Sequence, residues 1–324
     1  SYQDHFTIED EVIKAEPIST YQVKGGMMYD INSDVSVFFN TGMVEKAPIM
    51  DNVIYFDGTV ASDPANEKFL HNEFGVNYRF GKLGINASAY NTDWQDRNLT
   101  KSVTTGQGDS GDTDVIFLTG VNQKHSGVEL ETNYMVNDML DLMFVASFGN
   151  WKFDGDANGN YQETEYNSEG QAIGYTTTEY AYALDGLYVG DMPQTSYVLG
   201  VTLKPIKDLR IQAIHKMYDK NYSDWSPSAR EFDGTNDDAD RAQVWEAPSY
   251  NRLDLHMSYK LPKVKDLDMM LTANIFNVLD EVYVQDAVDN SQYNGYGSKQ
   301  HLPHNAEVFL GTPRYANIGL SIGF

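Results

Sequence analysis

The densest grouping of oxygen-bearing side chains lies at residues 154–165, Asp154-Gly155-Asp156-Ala157-Asn158-Gly159-Asn160-Tyr161-Gln162-Glu163-Thr164-Glu165. It fits the calcium-loop pattern D-x-[DN]-x-[DN]-G-x5-E at every specified position. In such a loop Asp154, Asp156 and Asn158 offer side-chain oxygens and Asn160 its backbone carbonyl. Gln162 acts through water, and Glu165 binds Ca2+ with both carboxylate oxygens. The flanks are not those of an EF-hand. Residues 151–153 end a strand pattern, and nothing after Glu165 reads as a helix. A solvated Asp/Asn/Gly-rich turn is the competing reading; a bound ion would chiefly order the loop.

A second group is aromatic. Tyr180, Tyr182, Tyr188, Trp225, Trp245, Tyr293 and Tyr296 fall in segments that read as loops. Flat rings suit contact with a sugar-like ligand, and the same residue types serve as interfacial belts. Residues 153–203 contain eight acidic residues and no Lys or Arg. A surface of that sign repels anions and favours a neutral or cationic ligand; a merely solvated acidic loop is the plainer reading. No nucleophile–base pair and no paired catalytic carboxylates stand out.

The elements that must carry these groups are strands. Residues 312–324 alternate almost without fault, with Ala316, Ile318, Leu320, Ile322 and Phe324 on one side and Tyr315, Asn317, Gly319, Ser321 and Gly323 on the other. A strand sends successive side chains to opposite faces, so this ribbon has one apolar side and one small or polar side. The same period recurs over residues 23–29, 35–44, 73–80, 83–90, 127–136, 140–148, 197–203, 209–213, 252–261 and 267–275. On one of these, Arg252, Asp254, His256 and Lys260 share a face, which requires water or partners on that side. They suit a salt-bridged wall better than an active site.

The connections are sorted by length. Those at residues 30–34, 81–82, 137–139, 205–208 and 261–266 are short. Those near 45–66, 100–124, 154–193, 223–247 and 285–311 are long. Strict alternation of short and long connections is expected of an outer-membrane β-barrel with turns at the periplasmic end and loops outside. A soluble β-sandwich gives no reason for it. No run approaches the ~18 apolar residues of a membrane helix, and the mean hydropathy of -0.47 hides strands that are apolar at every second position. The net charge of -24 argues against nucleic-acid binding. The absence of Cys excludes a disulfide framework. Export requires a signal, and the sequence opens without one or an initiating Met, as a mature chain or a fragment would.

The expected fold is therefore an all-β transmembrane antiparallel barrel with eleven complete strands. Residues 2–7 read as the outer end of a twelfth.

Four stretches resemble the TonB-dependent outer-membrane receptor family. Pro17-Ile18-Ser19-Thr20-Tyr21-Gln22-Val23-Lys24-Gly25-Gly26, followed by Val35-Ser36-Val37-Phe38-Phe39, looks like its mid-barrel hairpin. Gly127-Val128-Glu129-Leu130-Glu131 is similar to its G-V-E-x-E strand. Asn274-Ile275-Phe276-Asn277, with Tyr283 beyond, resembles its N-[LI]-F-[ND]-x5-Y signature. Gly311-Thr312-Pro313-Arg314 leading to Phe324 resembles its closing strand. The likeness covers essentially the whole chain, residues 1–324, in order.

The resemblance implies the carboxy-terminal half of a 22-stranded barrel, with the amino-terminal plug and TonB box outside this sequence. It implies active import of a scarce ligand, driven by the TonB–ExbB–ExbD complex acting on the plug. Lipid and lipopolysaccharide would surround the barrel, and a surface lipoprotein is a further partner in some relatives. Phe324 would serve as the assembly signal. The alternatives are a passive porin and an outer-membrane enzyme.

Overall fold

A computed structural model of the protein describes residues 5–8, 11–55, 58–61, 64–105, 112–169, 172–227, 230–232, 239–263, 265–290 and 300–323. Along the chain, β1 (His5–Ile8) and β2 (Glu11–Lys14) form a hairpin. β3 (Gln22–Asp30), β4 (Val35–Lys46), β5 (Glu67–Phe80), β6 (Leu83–Thr105), β7 (Asp112–Asn137) and β8 (Leu140–Phe153) run up and down as a meander. β9 (Ala157–Tyr166) and β10 (Ala172–Tyr182) then fold over one end. β11 (Thr195–Leu203) and β12 (Leu209–Asp219) resume the meander, and β13 (Asn221–Tyr222), β14 (Glu231–Phe232) and β15 (Glu246–Ala247) belong to the next long connection. β16 (Tyr250–Lys260) and β17 (Asp268–Phe276) precede a last excursion with β18 (Val284–Val288) and β19 (Glu307–Leu310); β20 (Tyr315–Gly323) closes the order. Among the described residues there is no α-helix, only two 3-10 turns.

The main sheet is antiparallel, in the order β20-β17-β16-β12-β11-β8-β7-β6-β5-β4-β3. Each strand pairs with its neighbours in the meander, so the eleven strands expected from the two-residue period are all present. Registers align the period across the sheet. One rung reads Phe80, Leu83, Tyr134, Leu142, Val201, Ala213, Leu255, Ile275 and Ala316. Another, of opposite parity, reads Ser36, Asn77, Asn86, Glu131, Val145, Val198, Lys216 and Arg252. The first face is apolar along its length and carries exposed Met27, Phe74, Val128, Leu199 and Ile318. The second is largely polar and internally bonded: Asn86 Nδ2 donates to Asn77 Oδ1 at 2.6 Å.

Among the described residues β3 and β20 each have a partner on one side, so the sheet is open. The stretch expected to be the end of a further barrel strand behaves differently. His5–Ile8 pairs with Glu11–Lys14 and, among the described residues, does not join the main sheet; residues 2–4 lie outside them.

β6 and β7 are far longer than the ~9–11 residues that cross a bilayer, at 23 and 26 residues. Their register shifts near Trp94 and Arg97, where Asp96 and Gly120 take positive φ of 55° and 66°. Bulges of this kind sharpen the bend of a ribbon. Beyond the bend, β7 pairs with β9, β9 with β10 and β10 with β14. The buried apolar core lies here, at the end bearing the long connections. It contains Ile116, Leu118, Phe153, Tyr182, Leu184 and Trp225, among others.

Candidate functional site

Where the polar face of the sheet approaches the bend, four adjacent strands present aromatic side chains side by side. Phe69 on β5 packs on Trp94 of β6 with centroids 4.5 Å apart. Trp94 neighbours His125 of β7 at 6.5 Å, and His125 stacks on Trp151 of β8 at 5.6 Å. Tyr90 lies beneath, with His71 stacked 6.5 Å away. These rings, with Glu73 and Glu129, line a hollow of about 390 Å³.

Glycine makes room for them. A Cβ on Gly149 would come 2.8 Å from the Trp151 indole. One on Gly127 would come 2.6 Å from the Tyr90 hydroxyl and 2.7 Å from the Phe148 carbonyl. Real Cβ atoms do not approach that closely, so the two rings lie against bare backbone. The wall also uses up the ring N–H groups. Trp151 Nε1 donates to the Tyr90 hydroxyl at 2.9 Å, and Trp94 Nε1 to Glu67 Oε2 at 3.2 Å. Arg97 sits over the Trp94 ring at 4.3 Å, while Asn40 donates to Glu73 Oε2 at 3.0 Å. The hollow is thus offered ring surface, carboxylate oxygens and imidazole edges. That combination suits a planar or hydroxyl-rich guest without strong negative charge.

Further round the same face, Arg252 and Asp254 form the ion-paired wall expected from their alternation. The Asp254 side chain is 1% exposed; Lys216 Nζ lies 3.0 Å from it, Arg252 Nη2 3.5 Å, and the Asn277 N–H donates to it at 2.9 Å. His256 Nδ1 lies 2.9 Å from Asn274 Oδ1.

The aromatics expected in loops divide four ways. Tyr182 and Trp225 are each 2% exposed and pack in the core of the long connections, where they offer solvent no surface. Burial pushes the Tyr182 hydroxyl up from its ordinary range. Tyr180 and Tyr188 pack against that core, Tyr188 stacking on Tyr222 at 4.1 Å under the Lys152 ammonium at 4.5 Å. Trp245 is half-buried. Tyr293, Tyr296 and Phe324 lie outside the described residues.

The calcium-like segment does not form a loop. Residues 157–166 are strand β9, paired with both β10 and β7. Asn158, Asn160 and Gln162 lie in the ladders to β10 and β7, so the segment runs extended where a calcium loop turns at Gly159. The leading carboxylates are engaged elsewhere. Asp154 pairs with Lys124 at 2.7 Å, and Asp156 takes both Arg241 nitrogens, at 3.2 and 3.0 Å. Burial pulls the Asp156 carboxyl up, but the Arg241 guanidinium and the Asp185 and Leu184 N–H groups outweigh it and hold the carboxyl below its usual range. Glu165 bonds to Thr176 across the β9–β10 pair.

The aromatic hollow was missed in the sequence because the apolar alternation stops at its lower edge. Above residues 73, 90 and 127 both faces turn polar or aromatic, as a loop would. The usable signal was the same-parity runs Phe69, His71, Glu73 and Tyr90, Thr92, Trp94.

Residues 2–278 match the family described as TonB dependent receptor-like, beta-barrel. No curated protein sequence matches the chain. Its fold is similar to that of the siderophore receptor PiuA from Acinetobacter baumannii, at 18% identity and a TM-score of 0.56, covering 98% of this chain and 38% of that one. The ferric yersiniabactin uptake receptor FyuA from Yersinia pestis gives 14% and 0.56, covering 99% and 41%. The copper transporter OprC gives 15% and 0.58, covering 91% and 38%. The chain therefore spans roughly two fifths of the length of these structures.

Proposed function

The chain belongs to the TonB-dependent receptor β-barrel family, and from that premise we propose that it supplies eleven strands of an outer-membrane importer. Its apolar face would meet lipid, its polar face the lumen, and the packed long connections the extracellular mouth. The observation that carries this reading is the two-faced open sheet. An apolar face of that extent needs lipid, and an open edge in lipid leaves backbone groups unpaired, so further strands must complete the barrel. The plug, the TonB box and contact with TonB–ExbB–ExbD belong to the rest of the protein in this reading. Lipopolysaccharide would surround the mouth. A surface lipoprotein is compatible with its acidic rim.

The cargo is proposed to be neutral or cationic, passing the aromatic hollow on the lumen wall. Import rather than catalysis is the reading that the family match supports. The test is whole-cell solute uptake by a deletion strain and its complemented parent, with and without a protonophore. Uptake that needs the protein and collapses with the proton gradient supports import. Gradient-independent uptake, with passive conductance in a planar bilayer, would replace it with a porin. Trp151→Ala should lower uptake about tenfold or less while folded protein in the outer membrane stays at parental level.

A further inference from the structure

Two of the long connections, between β12 and β16 and between β17 and β20, are joined by four ionisable side chains that are almost sealed from water. His301 stands between two carboxylates: its Nδ1 is 2.5 Å from Asp289 Oδ2 and its Nε2 2.9 Å from Asp240 Oδ2. Arg230 Nη2 lies 3.7 Å from the same Asp289 oxygen. Side-chain exposures are 11% for His301, 6% for Asp240, 1% for Asp289 and 2% for Arg230. The carboxylates are fixed from behind by the Trp245 N–H on Asp289 Oδ1 at 3.2 Å and the Ala242 N–H on Asp240 Oδ1 at 3.0 Å. Arg230 in turn donates to the carbonyls of Asp240 and Ala242 at 2.8 and 3.0 Å.

With both carboxylates ionised, one imidazole protonation state satisfies this arrangement. With a proton on each nitrogen, His301 donates to both carboxylates, and two cations balance two anions. A neutral imidazole has one donor and one lone pair. The lone pair would then face a carboxylate oxygen at bonding distance, and a net negative charge would remain buried. Buried uncompensated charge is expensive to hold, so the contact must open or take up a proton.

We propose that His301 is a pH-sensitive clasp on these two connections, closed when the imidazole carries both protons and loosened when it loses one. The charged and titratable groups facing it are Asp289, Asp240 and Arg230. The hydrogen bond to Asp289 raises the His301 pKa, burial lowers it, the two carboxylate charges raise it and Arg230 lowers it; the net direction is up. A raised folded-state pKa gives stability that is full below the unfolded value near ~6.5 and is lost as pH rises through the folded value. The clasp thus holds in acid and slackens on the alkaline side. Describing it as a lock on the transport mouth rests on the import reading; the clasp itself does not.

The experiment is hydrogen exchange on the intact protein in outer-membrane vesicles, read as protection factors from pH 5.5 to 9. In the parent, peptides covering residues 240–245 and 300–306 should lose about tenfold protection across a single step above pH ~6.5, while β16 and β17 peptides keep theirs. His301→Gln, which bonds without titrating, should show no step. Asp240→Asn, which removes one balancing anion, should move the step to lower pH. A flat parental profile, a step that survives in His301→Gln, or parallel loss in β16 and β17 would each overturn the clasp. None of these readings depends on uptake, so a failed import test leaves the result interpretable.

Discussion

At the scale of single residues, the lumen wall is governed by satisfaction rather than by size. Asp254 is buried and accepts from Lys216 and the Asn277 N–H beside Arg252. Removing it leaves two cations facing each other without an anion, which costs about 3–5 kcal/mol for a buried pair. Asp254→Ala should therefore lower the temperature at which the folded species loses its fast gel mobility, and Asp254→Asn should lower it less. Gly127 poses the opposite problem. Gly127→Val would drive a side chain into Tyr90 and the Phe148 carbonyl, an overpacking cost of about 1–3 kcal/mol; the same gel assay should show a smaller but clear loss. The Asp254 role was legible in the sequence, because a charge on alternate positions of an amphipathic strand has few explanations. Gly127 was read as part of a motif, and its reason, the ring of Tyr90 from the neighbouring strand, is visible only once β6 and β7 are in register.

At the scale of elements, the two-residue period carried nearly all the legible information. It located the eleven strands of the meander, because each has one apolar face. It was silent wherever that contrast lapses. β9 and β10 are built from Asn, Gly, Thr and Glu; backbone pairing and a shared core beneath them hold them in place, so their residues read as a long loop. The upper halves of β6 and β7 were lost for the same reason. Where the period does speak, it makes a sharp prediction for adjacent residues. Leu271 pairs with Tyr259 and Leu320 on the apolar face, whereas Thr272 faces the lumen beside Ser258 and Gly319. Leu271→Arg should cost about 2–4 kcal/mol of folding stability in the bilayer and deplete the protein from outer membranes. Thr272→Arg should leave its level near that of the parent, as measured on the same fractions.

At the scale of the whole molecule, the open edges dominate. β3 and β20, nine residues each, have no strand partner along their outer edges among the described residues. In lipid such edges are untenable. Expressed on its own, the chain should give no heat-resistant folded band in detergent. Resistance of the isolated chain would mean that these two edges can close on each other. The packed connections have a different consequence. Among the described residues, Trp225, Leu184, Phe153 and their neighbours form a packed core in the long connections. A guest in the aromatic hollow need not order that core, so association should lack the large enthalpy–entropy offset and the steep heat-capacity change of coupled folding. A core packed in advance loses little freedom when a guest binds beside it.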